Sequence, residues 1–195
     1  QTPQLTFNGL MGYDPHVVKM PELIVGQQEE FQQVQQRYQK MLDVALASVA
    51  KTNNTNDLTL NAAGSPTYTL WGNVEGIANE LSIGSGFLKP LDFDLPSLAK
   101  HRPALYIATP VLKSSAGTWT AGADWVGEAQ SLWDPNRART IFVYGGYWQA
   151  KPVSPEGLLT NPLFGRSSNQ EMLNASDAVD VNVDDYVFYR PTQSE

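Results

Sequence analysis

The sequence contains no cysteine, which excludes disulfides, thiolate nucleophiles, cysteine-held zinc and iron–sulfur clusters. Imidazole is scarce. His16 and His101 are the two histidines; they lie far apart, and neither belongs to a two-histidine metal pattern or a Ser/His/Asp arrangement. No apolar run approaches the length of a membrane span. Positive charge is in deficit, with 13 Lys and Arg against 20 Asp and Glu and a formal net charge of -7. Neither a nucleic acid nor an anionic membrane surface is therefore the expected main partner, and any anion bound here is bound locally. With 42% hydrophobic and 17% charged residues in 195, the composition suits one globular unit or two small ones and excludes a disordered chain.

Small residues gather instead at a few points. From Leu58 to Tyr68 the chain starts as a strand, with Leu58 and Leu60 alternating with Asp57 and Thr59, and breaks into Asn61-Ala62-Ala63-Gly64-Ser65-Pro66-Thr67. Gly64 opens dihedrals closed to other residues, Ser65 offers a hydroxyl, and successive N–H groups in such a turn converge on an anion. The same Gly-Ser-Pro run also reads as an ordinary strand exit. Upstream, Leu5-Thr6-Phe7 alternates as a short strand and runs into the glycine-punctuated turn Asn8 to His16. His16 reads there either as a ligand-side group or as a capping or surface histidine. From about Gln28 to Lys51, Phe31, Val34, Tyr38, Met41, Leu42, Ala45, Leu46 and Val49 recur at helical spacing, which predicts one long amphipathic helix with a single buried stripe. Strand, loop, helix, strand, loop is the order of a parallel α/β arrangement with functional loops after the strands.

Asn73 to Asn79 is expected to form a short helical turn. Glu80 to Phe87 reads as a further strand running into glycine, whose Gly84 and Ser85 close on the same anion as Ser65. A proline-restricted connector follows, and the boundary is placed at Pro96, giving an α/β part over 1–96 and an all-β domain over 97–195. The β runs are Ala104 to Leu112, Trp119 with its neighbours, Thr140 to Tyr144 and Tyr186 to Tyr189. Gln1 at the start and Arg190 to Glu195 at the end give both ends the look of cuts. Asn53-Asn54-Thr55 and Asn174-Ala175-Ser176 are formal glycosylation acceptors.

Taken together, Phe7-Asn8-Gly9-Leu10-Met11-Gly12-Tyr13-Asp14-Pro15-His16, Asn61 to Thr67 and Asn79-Glu80-Leu81-Ser82-Ile83-Gly84-Ser85 resemble, in order and spacing, the fold-type III pyridoxal-phosphate enzymes. The relatives meant are D-threonine aldolase and D-serine dehydratase, with alanine racemase more distant. The first segment looks like the family's Gly-Tyr-x-x-His-type loop, and the other two look like its phosphate loops. Tyr144-Gly145-Gly146 with Lys151-Pro152 resembles its Asp-x-Gly-x-Lys segment. The resemblance implies the last strands and helix of an alanine racemase-like (β/α)8 barrel followed by a C-terminal β domain. It implies pyridoxal phosphate held by Gly64, Ser65, Thr67, Gly84 and Ser85, with Tyr13 and His16 on the substrate side.

Two departures qualify what is carried over. Nothing around Lys19, Lys40, Lys51, Lys89, Lys100, Lys113 or Lys151 resembles the family's Schiff-base lysine, so an upstream polypeptide is expected to supply it with the first barrel strands. In the family's metal-binding stretch, Gln193 and Glu195 stand at the ligand positions and Met172 replaces a histidine, so no metal site is expected. The implied activity is aldol cleavage or β-elimination of D-amino acids or β-hydroxy-D-amino acids, with racemisation as the alternative. A non-catalytic cofactor-binding or interaction fragment is a reading of a different class. A carbohydrate-binding β protein, suggested by Trp119, Trp125, Trp133 and Trp148, is a third. A homodimer in a cytoplasmic setting is expected of the complete enzyme.

Overall fold

The computed structural model describes residues 7–19, 26–49, 58–118 and 133–194, and the chain divides into two compact units. The first is Gln1–Lys89 with Phe93–Arg102; the second is Pro90–Asp92 with Pro103–Glu195. The division thus falls after Arg102 instead of at Pro96. Prolines in the connector restrict its path, but they carry no information about which unit each stretch packs with.

The first unit holds a three-stranded parallel sheet in the order β1-β2-β3, formed by Gly9–Met11, Thr59–Ala62 and Glu80–Leu81. Parallel neighbours need crossovers. The helix α1, Gln27–Val49, lies between β1 and β2 in the chain, and the short α2, Tyr68–Trp71, lies between β2 and β3. The first strand sits on the stretch read as a turn, while Leu5 and Thr6 lie outside the described residues. Gly9 is what the strand needs there, because its φ is +153° and a Cβ would stand 1.8 Å from Thr59 O. The backbone of β2 takes the place of a side chain.

The long helix matches its expected span over the described residues, and Glu29 and Glu30 in its first turn suit the positive end of its dipole. Its apolar stripe is not wholly buried. Tyr38 and Leu42 are each 6% exposed, whereas Met41 is 64% exposed. Tyr38, Ala62, Ala63 and Trp71 form the core of this unit, with the Phe31 and Tyr38 rings set edge-on to Trp71 at 5.3 and 6.0 Å. The expected helical turn over Asn73 to Asn79 is displaced to α2. Asn79 instead extends the sheet with its side chain, accepting from Leu60 N at 2.8 Å and donating to Leu58 O at 2.9 Å. The third strand stops after Leu81, and Ser85–Phe87 is a 3₁₀ turn.

The second unit is a six-stranded antiparallel sheet in the order β6-β9-β4-β5-β8-β7. Its strands are β4 Ile107–Ala116, β5 Arg139–Tyr144, β6 Ala150–Ser154, β7 Leu159–Thr160, β8 Gln170–Ala175 and β9 Tyr186–Pro191. The two end strands β6 and β7 meet, so the sheet nearly closes on a core that includes Val111, Ile141, Val143, Leu173, Val187 and Tyr189. This is the expected β domain. Trp119 and Trp125 lie outside the described residues. Asn174 is buried, donating to Thr118 Oγ1 and accepting from Asn161 Nδ2, and so is no glycosylation acceptor in the fold.

Candidate functional site

Three loops leave the carboxyl ends of β1, β2 and β3, the edge where parallel sheets carry their ligands. The loop after β1 is tied down at once, since Gly12 N donates to Asn61 O at 2.9 Å. Tyr13 follows, its side chain exposed and its ring laid against Gly64 so closely that a Cβ there would come within 2.6 Å of Tyr13 Cε2. Asp14 is buried. The 3₁₀ turn Pro15–Val18 then carries His16, whose Nε2 meets Glu30 Oε1 on α1 at 3.1 Å. Arg37 donates to the same oxygen. Arg37, and to a lesser degree His16, hold the Glu30 carboxyl below its usual range against the opposing effect of burial.

The loop after β2 begins with Ala63 at φ 71°, a left-handed conformation uncommon outside glycine. Gly64 O accepts from Thr67 N and Tyr68 N, both at 3.0 Å. The buried Ser65 reaches across to the third loop, where its Oγ accepts from Gly84 N at 3.0 Å and Gly86 N at 2.9 Å. Gly86 has no room for more, because a Cβ would stand 3.0 Å from Ser65 Cβ. The third loop is anchored to β2 by Ser82 N on Ala62 O at 3.0 Å. Ser82 Oγ donates to Asn61 Oδ1 at 3.0 Å, while Asn61 Nδ2 donates to Glu80 Oε1 at 2.7 Å.

Of the residues singled out in the sequence, Gly64, Ser65 and Gly84 come together, the edge of the Tyr13 ring lies against Gly64, and Ser85 opens the turn beside Gly84. Thr67 does not join them as a ligand-facing hydroxyl. It is wholly buried, and its Oγ1 donates to Asp14 Oδ1 at 2.5 Å. Asp14, Glu30, Arg37, Trp71 and Gly86 belong to the same assembly without having been picked out. Beside the first loop lies a cleft of about 310 Å³, bounded among others by Tyr13, Asp14, His16, Arg37, Tyr38 and Met41. The exposed Met41 is a wall of this cleft.

No family model and no curated protein matches the chain. A likeness of fold is found in three dimensions. A crystal structure of D-threonine aldolase from Filomicrobium marinum shares its fold, with a TM-score of 0.57, 18% identity, and coverage of 97% of this chain and 46% of the aldolase chain. At that identity the likeness concerns the fold. The present chain spans less than half the length of the structure it matches.

In the second unit, the stretch expected to lack a metal is held by hydrogen bonds: Gln193 Nε2 donates to Asp92 Oδ2, and Met172 is buried. Glu195 lies outside the described residues. Among the described residues no three His, Asp or Glu side chains converge as a metal site, and no helix is long and apolar enough to cross a membrane. Of the tryptophans, Trp133 stands exposed and Trp148 packs edge-on against Tyr189 at 5.8 Å. Glu171 is fully buried; its Oε1 accepts from Tyr189 O–H at 3.1 Å and Arg166 Nη1 at 3.3 Å, while its Oε2 has no hydrogen-bond partner among the described residues. Burial pushes the Glu171 carboxyl up, opposed by Arg166 and the Tyr189 hydrogen bond. Burial, and then the Glu171 charge, raise Tyr189 as well.

Proposed function

We propose that this chain is part of a pyridoxal-phosphate enzyme acting on D-amino acids or β-hydroxy-D-amino acids, a lyase of the aldol-cleavage or β-elimination kind. The observation that carries the reading is the likeness to a D-threonine aldolase over 97% of this chain; the convergence of three loops at one edge of the parallel sheet supports it. In this reading a longer polypeptide supplies the remaining strands of a (β/α) barrel and the lysine that holds the cofactor. The complete enzyme is a cytoplasmic homodimer.

The residues present suit the phosphate end of the cofactor. Ser65 and Ser85 bring hydroxyls, and Gly64 and Gly84 bring backbone without side chains, which lets a phosphate approach closely. Lys89 does not suit the lysine role, since its Nζ is buried and donates to His101 O at 2.8 Å. When bound, pyridoxal phosphate draws electrons from the Cα of an amino acid and so weakens the bonds at that carbon. The chain's own residues then orient and move protons. Gly64, Ser65, Gly84 and Ser85 hold the phosphate, with Thr67 acting behind them through Asp14. The edge of the Tyr13 ring lies against Gly64 and narrows the approach from that side. Glu30 Oε1, 3.1 Å from His16 Nε2, fixes the imidazole beside the first loop, and His16 serves as the proton carrier on the substrate side.

Expressing the complete polypeptide, saturating it with pyridoxal phosphate and assaying D-threonine and D-serine tests the reading. Release of glycine or of ammonia is the expected result. Interconversion of alanine enantiomers without cleavage would replace the lyase with a racemase. No turnover of any of the three, with no adduct on any polypeptide after borohydride reduction, would leave a non-catalytic protein.

A further inference from the structure

Asp14 stands before a 3₁₀ turn with Pro15 next to it, the place where an aspartate ordinarily accepts from the turn's own N–H groups. Its side chain makes no such bond. Instead the carboxylate, in a residue only 2% exposed, accepts from Thr67 Oγ1 at 2.5 Å on one oxygen and from Trp71 Nε1 at 2.7 Å on the other. Both lengths fall in the range of charge-assisted bonds. Two donors from the loop after β2 and from α2 thus converge on one buried acceptor from the loop after β1.

We propose that Asp14 is a positioning residue: its carboxylate locks the loop carrying Tyr13 and His16 onto the loop carrying Gly64 and Ser65, and so sets the edge of the Tyr13 ring against Gly64. This rests on the functional reading above only for the affinity it implies; the lock itself is a matter of conformation. The chemistry of the partners makes it testable. An indole N–H donates only, whereas a threonine hydroxyl turns to accept. Asparagine at position 14 therefore satisfies both, giving its carbonyl to Trp71 and its amide to Thr67. Alanine leaves the buried Trp71 N–H without an acceptor and Thr67 Oγ1 with only its long contact to Gly64 O at 3.5 Å.

The experiment uses the 195-residue chain and two readouts. Nuclear magnetic resonance follows the Gly64 Hα signal that faces the edge of the Tyr13 ring, which the ring shifts downfield, with signals of the second unit as a folding control. Titration follows affinity for pyridoxal 5′-phosphate and for inorganic phosphate. Asp14→Ala is expected to abolish the downfield shift and weaken pyridoxal phosphate by about tenfold, the usual cost of orphaning buried donors, while Asp14→Asn keeps most of both. A folded Asp14→Ala that keeps the shift, or an Asp14→Asn that loses as much as alanine does, overturns the lock. Should Asp14→Ala fail to fold, Thr67→Val and Trp71→Phe each remove one donor, and an unmoved Gly64 shift in both overturns it equally. If the unsubstituted chain shows the shift and loses it in Asp14→Ala, yet binds neither pyridoxal phosphate nor phosphate, the lock stands and the proposed function falls.

Discussion

Ser65 joins two loops through a single atom, and the energetic consequence belongs to that residue. Ser65→Ala leaves the Gly84 and Gly86 N–H groups without their acceptor, and is expected to destabilise the first unit by about 1–3 kcal/mol, measured by urea unfolding. A midpoint equal to that of the unsubstituted chain would mean that water replaces the hydroxyl. Glu30 gives a second residue-scale prediction. Its folded-state pKa is lowered by Arg37, so its contribution to stability is present above the unfolded value and is lost as pH falls through the folded one. The first unit is therefore expected to melt at lower temperature on acidification, and Glu30→Gln to show a shallower dependence over the same pH range. Gly64, Ser65 and Gly84 were legible in the sequence because small residues after a strand have a local meaning. Asp14 was not, since its partners lie 53 and 57 residues away and its local setting reads as a cap.

At the scale of elements, periodicity gave the long helix and its core side. It did not separate Leu42 from Met41, neighbours that both belong to the apolar stripe. Leu42→Ala is expected to cost about 2–5 kcal/mol as a buried truncation. Met41→Lys, on a wall of the open cleft, is expected to stay within about 0.5 kcal/mol. Thermal unfolding of the two variants decides, and equal losses would mean that Met41 is covered in solution. The strands were less legible. β1 begins at a glycine that sequence reading takes for a turn, because the close approach of Thr59 is a tertiary fact. β8 contains Gln, Glu and Asn and is buried on both faces after its first residue, so it shows no alternation. β6 contains Pro152, which an end strand of the sheet tolerates beside its irregular register with β9.

For the molecule as a whole, the contrast between an α/β part and a β part was legible from the change of pattern along the chain. The point of division was not, because a short excursion such as 90–92 leaves no mark in composition. The likeness to the aldolase at 18% identity is one of fold. The two units are expected to answer pH in opposite senses. Burial raises the folded-state pKa of Glu171, so its contribution is full below the unfolded value and is lost as pH rises through the folded one. The melting temperature of the second unit is expected to fall as pH rises from the acid range toward neutrality. Glu171→Gln removes that slope, and an unchanged slope in the variant would assign it to other groups.

The Ser65 bridge also bears on selectivity. A hydroxyl has two lone pairs and one hydrogen, and the N–H groups of Gly84 and Gly86 already occupy the lone pairs. Only the hydrogen is left to give. A visitor to this corner is thus screened by polarity before shape: one bearing lone pairs finds a bond waiting, and one bearing only hydrogens finds none.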